Sequence, residues 1–247
     1  DSFTGGANIS LMVKESDGVY VFGGELYLSD SSMQSITSTA VKADPGSYIE
    51  LNNVTIKDVE QNGFQTDGGR IVVKNVSLTN MGSHGIYNNG GDIQVEGLTI
   101  DTVKKNAIQH KSGTTAVSGV DAINMGNHGA YVAAGTLTVK DSAFAAMAAN
   151  GFYTIIMAEK LVLENVSISD ALYALNTNSA GANGPVKLTV TNSTLNGWTS
   201  FSAVHKAVVF EKCTFGEGNG YAFLGRSGAG KWHGRRPPLA VQHDRQG

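Results

Sequence analysis

The chain has one cysteine, Cys213, in 247 residues, which rules out an internal disulfide framework. Proline is scarce, with four residues, two of them together at Pro237 and Pro238. Arginine is scarcer still before the last segment: Arg70 is the only one ahead of Arg226. Charged residues make up 16% of the sequence and the net charge is −3, so there is no basic surface of the kind general nucleic-acid binding requires. No apolar run approaches the length of a membrane-spanning helix, and no insertion of this chain into a bilayer is expected. No stretch carries a capped, helical apolar stripe, so the connections are expected to be turns. The chain opens at Asp1 without a leader segment, which predicts a processed product or an excised fragment.

What is present is glycine, 31 residues, and a repeat. The segments IELNNVTI, IVVKNVSL, IQVEGLTI, LTVKDSAF, LVLENVSI and LTVTNSTL share one pattern. Apolar and polar residues alternate, a small or polar residue breaks the alternation, and apolar residues resume one and three positions later. The break falls at Asp30, Asn53, Asn75, Gly97, Gly119, Asp141, Asn165, Asn192 and Lys212. From Asn53 to Asp141 the interval is 22 residues each time, and the remaining intervals are 23, 24, 27 and 20.

Other positions keep step with the break. Six residues later stand Val59, Met81, Val103, Met125 and Met147, and eleven later stand Phe64, Ile86, Ile108, Ala130 and Phe152. Both columns are predicted to face inward, with Leu175 and Phe223 near the second phase. The residue before the break (Asn52, Lys74, Glu96, Ser118, Lys140, Glu164, Thr191, Glu211) forms an outward polar column. Lys74 with Glu96 and Lys140 with Glu164 are expected to pair across neighbouring strands, adding up to about 1 kcal/mol each.

Alternating segments this short are strands, and one unit cannot bury its own apolar face. Each must stack on the next, strand pairing in parallel with strand one coil away. The predicted fold is all-β: a parallel β-helix of about nine coils of about 22 residues, a rod on the order of 40 Å long, whose right hand is what the resemblance below implies. Residues 1–22 read as a lead-in or cap, 23–224 as the helix and 225–247 as a non-repeating basic tail.

Over residues 23–224 the sequence resembles the right-handed β-helix of the pectin-lyase-like superfamily and of bacterial autotransporter passenger domains. GGELYLSDSSM, GTLTVKDSAF and LTVTNSTL look like passenger-domain coils. The resemblance implies a bacterial, surface-exposed or secreted rod with an adhesin-like binding or display role. Its expected partners are a host glycan, a host protein or further copies of itself. It also implies two alternatives, a lyase or hydrolase acting on an acidic polysaccharide and a structural fibre.

The enzyme alternative has one candidate constellation. Asp44 and Asp67 each lie fourteen residues after a break, so they are expected to stack on adjacent coils, with Asn89 and Lys111 continuing the column and Arg70 and His110 nearby. Two such carboxylates beside a base could hold calcium or cleave a uronic-acid polymer. Asp67-Gly68-Gly69 and Asn89-Gly90-Gly91 are equally turn signals. Polygalacturonases carry Asn-x-Asp, Asp-Asp and Arg-x-Lys motifs, none of which is here. Catalysis is therefore not the favoured reading: no catalytic residue, metal ligand or cofactor is assigned, and the ligand-binding residues are left open.

Three further motifs have structural readings. The break asparagines are expected to form a buried ladder, which leaves the sequons at Asn53, Asn75, Asn165 and Asn192 no room for a sugar; Asn8 heads a fifth. The column Asn62, His84, Asn106, His128, Asn150 is mostly followed by glycine and reads as a tight turn needing unusual backbone angles. His84 and His128 lie two coils apart, about 10 Å, too far to share a metal ion. Cys213 and Trp198 read as packing residues.

GRSGAGKW, Gly225 to Trp232, imitates a phosphate-binding loop. It has Trp232 where magnesium needs Ser or Thr, and two prolines close behind where a helix should start. No nucleotide is expected. The 176–187 stretch (NTNSAGANGPVK) is the expected binding loop.

Overall fold

In the computed structural model the described residues are 2–4, 10–12, 16–179, 187–201, 207–216 and 224–225. The tail from Arg226, most of the 176–187 stretch and Phe223 lie outside the described residues.

Every described strand pairing is parallel, and each strand pairs with the one a coil later. The middle coils run in near-perfect register. Ile71, Val73 and Leu78 stand opposite Ile93, Val95 and Ile100, 22 residues on. Parallel strands of this kind form a solenoid whose core is a stack of like residues, as the repeat requires.

One coil shows the plan. A short first face, Phe64–Thr66, turns at Gly68 into a second face beginning at Arg70. The chain bends at Asn75 into a third face that runs to Met81, then returns through residues 82–85 to the next first face. Gly68 and Gly90, with φ of 121° and 102°, make the first corner. Such angles are open to glycine at no steric cost, which explains the Asp-Gly and Asn-Gly signals.

The second corner is the break column. All nine break residues, from Asp30 to Lys212, have positive φ, between 48° and 76°. This left-handed conformation is tolerated best by Gly, Asn and Asp, the residues that dominate the column. A second left-handed column follows five residues later, at Ser35, Asp58, Asn80, Thr102, Asn124, Ala146 and Asp170. The sequence reading missed it, although Asp and Asn recur there in step with the break.

The inward columns lie where the periodicity puts them. Phe64, Ile86, Ile108, Ala130, Phe152 and Leu175 are fully buried, as are Val59, Met81, Val103, Met125 and Met147 to within a few per cent. Phe144 packs edge-on against Phe152 at 5.1 Å. Cys213 continues the inward column after the break, partly buried, its thiol donating to the Val190 carbonyl. Half-buried Trp198 packs edge-on against Tyr173 at 5.1 Å.

Three expectations are overturned. The break asparagines Asn53, Asn75, Asn165 and Asn192 are exposed, not buried. A left-handed residue at a convex corner points its side chain to solvent. The Asn53 amide donates to Asp30 at 2.6 Å and the Asn165 amide to Asp141 at 2.8 Å, so the ladder runs along the outside. Burial therefore does not deny these sequons space.

The buried ladder is instead the Asn/His column. Asn62, His84, Asn106 and His128 are at most 9% exposed. Each backbone N–H donates to the side chain one coil earlier: His84 to Asn62 Oδ1, Asn106 to His84 Nδ1, His128 to Asn106 Oδ1 and Asn150 to His128 Nδ1, at 3.0–3.3 Å. The following glycines do not have left-handed angles. They are small because a Cβ on Gly63 or Gly85 would stand 2.7–2.8 Å from the carbonyl oxygen of the next coil.

Third, Lys74 pairs at 2.9 Å with Glu50 on the preceding coil, rather than with Glu96. Lys140 and Glu164 do pair, at 2.7 Å.

Candidate functional site

The first face carries the polar side chains that the sequence reading brought together. Val41–Ala43 pairs with Phe64–Thr66, so Asp44 and Asp67 follow on adjacent coils. Lys42 sits between them, its ammonium 4.0 Å from Asp44 and 3.7 Å from Asp67. It also lies 4.9 Å from the centre of the Tyr20 ring, whose hydroxyl donates to Asp44. Gln65 donates to Asp67 at 2.8 Å and Asn89 donates to its other oxygen at 3.1 Å.

The two predicted neighbours are elsewhere. Arg70 is on the second face, 3.5 Å from Asp92 and over the Tyr48 ring. His110 is fully buried, its Nδ1 at 3.0 Å from the Thr115 hydroxyl and its Nε2 without a hydrogen-bond partner among the described residues. Burial pushes it down to about 4. The basic residue at the carboxylates is Lys42, which the fourteen-residue offset could not reveal because it comes two positions earlier, on the same outward row. Among the described residues no three His, Cys, Asp or Glu side chains cluster closely enough to hold a metal ion.

Beyond Asp67 the first face continues as a row of large polar side chains. Gln65 pairs in register with Tyr87, Tyr87 with Gln109, and Gln109 with Tyr131. The buried ladder lies directly behind this row and alternates with it. Asn62 donates to Gln65 Oε1 at 2.9 Å and Asn106 to Gln109 Oε1 at 2.7 Å. The His84 ring lies 5.8 Å from Tyr87 and the His128 ring 6.0 Å from Tyr131. Asparagine thus supports glutamine, and histidine supports tyrosine, in a two-coil alternation that a 22-residue repeat conceals.

Burial pushes His84 down to about 4, with Lys105 and Lys111 adding to the effect, and lowers His128 as well. Both rings are thereby held neutral, as acceptance of a backbone N–H by Nδ1 demands. Lys111 lies over Tyr87, 5.7 Å from the ring centre.

The second face presents a shallow groove of about 380 Å³, lined by Val72, Lys74, Gln94, Ala116, Thr138 and Lys140 among others. On earlier coils, outside the lining of this groove, stands the Tyr27–Tyr48 ring pair, 5.6 Å apart. Burial, then the bond to Glu50, pushes the Tyr48 hydroxyl up to about 12. Asp44 and Asp67 are on the other face and do not meet this groove.

A family model described as the right-handed beta helix region matches residues 17–195, well over half of the chain. The chain belongs to the right-handed β-helix family. The match agrees with the parallel coils, the inward columns and the two left-handed corners. Comparison with curated proteins and with solved structures gave no match. Membership in the right-handed β-helix family establishes the rod, and function has to be argued from the rod's faces.

Proposed function

We propose that the chain is a non-catalytic stretch of a bacterial surface-exposed or secreted β-helix, of the autotransporter-passenger or adhesin type, that binds or displays. The carrying observation is the bonding of the acidic pair. Asp44 takes the Tyr20 hydroxyl, Asp67 takes two amides, and both share Lys42. Carboxylates so engaged are poor candidates for carrying protons to and from a substrate, because a general acid or base must reach the reacting atom. Sparse charge, a single cysteine and abundant glycine and asparagine agree with an extracellular rod.

The alternative, cleavage of an acidic polysaccharide, draws on the same convergence of two carboxylates and an ammonium. Incubation with polygalacturonate and calcium separates the two. The display reading expects no unsaturated or reducing ends, together with retention of the protein on cells or immobilised glycans. Product formation that disappears in Asp67→Asn would establish the enzyme instead.

A further inference from the structure

We propose that the first face between Tyr87 and Tyr131 is a binding strip for a linear anionic polysaccharide with a disaccharide repeat, in which only alternate sugars carry the charge. The inference rests on the non-catalytic binding role proposed above and names its ligand class.

The pitch comes first. Tyr87, Gln109 and Tyr131 are in direct register on three successive coils, so neighbouring side chains stand about 4.8 Å apart and the two tyrosines about 10 Å apart. A β-linked pyranose chain rises by close to one strand spacing per sugar and shows the same face at every second residue. A glycan lying along the rod axis would therefore place alternate rings over Tyr87 and Tyr131. Aromatic faces are suited to the C–H edges of pyranose rings, having a large apolar area and little rotamer entropy to lose.

Pre-organisation comes second. Both tyrosines are half-buried and backed by a buried histidine ring at 5.8–6.0 Å. Gln109 is held from below by Asn106, so the row is built before any ligand arrives.

Charge comes third and selects among glycans. The coil that contributes Gln109 also contributes Lys105 and Lys111, one at each end of the short first-face strand, both exposed. Neither enters an ion pair among the described residues, whereas Lys42, Lys74 and Lys140 do. Along the same two rims the neighbouring coils carry uncharged residues: Ser83 and Asn127 beside Lys105, and, at the bulge that holds Lys111, Asn89 in register with Ser112. The positive charge thus belongs to the glutamine coil, with the Lys111 ammonium leaning over the Tyr87 ring on a long exposed side chain that a sugar on that ring would turn aside. A sugar between two stacked ones would lie over the largely buried Gln109 with an exposed ammonium group on either side, which suits a carboxylate or sulfate on that sugar alone.

Hyaluronan oligosaccharides, whose alternate sugars carry a carboxylate, serve as the probe in calorimetric titration at low and physiological salt. Saturable, salt-weakened binding without chain cleavage is expected. Tyr87→Ala should weaken it by about tenfold while Tyr87→Phe retains it. Lys105→Gln with Lys111→Gln should weaken it similarly and flatten the salt dependence. The lysines are exposed, so that pair still reads out if Tyr87→Ala fails to fold. Absence of saturable binding overturns the proposal, as does equal binding of neutral chitin oligosaccharides, equal binding of polygalacturonate, or affinity unchanged in the lysine variant. Cleavage of the probe would instead overturn the non-catalytic reading while leaving the strip in place.

Discussion

Thr102 shows how far one residue can depart from its preferred backbone. It sits at φ 63° in a column whose neighbours are Asn80 and Asn124. A β-branched side chain is strained there, and asparagine is not. Thr102→Asn is expected to stabilise the protein by about 1 kcal/mol, read as a higher urea midpoint at unchanged slope. The opposite case is Gly91, where a Cβ would stand 2.3 Å from both the Gly69 carbonyl oxygen and the Thr66 hydroxyl. Gly91→Ala should cost on the order of 2–3 kcal/mol, because the obstacle includes backbone of the preceding coil. A variant as stable as the parent in thermal unfolding would refute this.

At the scale of an element, the buried Asn/His ladder makes stability depend on pH. Each imidazole accepts a backbone N–H on Nδ1, so its proton must be absent in the folded state. The folded His84 titrates near 4 and the unfolded one near its ordinary 6.5. The unfolded chain therefore binds more protons in that window, and stability falls as pH drops from about 6.5 to 4. For His84 the loss is on the order of 2–3 kcal/mol, with His110, also held near 4, contributing comparably. Asparagine already serves the same ladder at positions 62, 106 and 150. His84→Asn with His128→Asn should preserve the fold at pH 7 and flatten the acid side of the melting profile. An unchanged profile would show that the acid sensitivity arises elsewhere.

For the whole molecule, stability should be a sum over neighbouring coils rather than the property of one centre. Leu78 and Ile100 occupy the same column on successive coils and are both fully buried. Leu78→Ala should cost about 2–5 kcal/mol, and Ile100→Ala a similar amount, since each leaves a cavity between like layers. Denaturant midpoints that fall for one and not for the other would contradict a uniform stack.

The sequence by itself determined the rod. Its period and its inward columns are local facts, since each follows from alternation, whereas the left-handed angles at the nine breaks came to light only in the backbone. It also placed Asp44 beside Asp67, because equal offsets stack. Only the tertiary structure decided which side of the corner each asparagine faces, and it exposed Asn53 while burying Asn62. That choice depends on whether the bend is convex and on what the next coil offers for hydrogen bonding, and neither is written in a repeat. The Tyr87–Gln109–Tyr131 row was hidden for a related reason. Its alternation spans two coils, and its supporting histidines and asparagines meet it only once the coils are stacked.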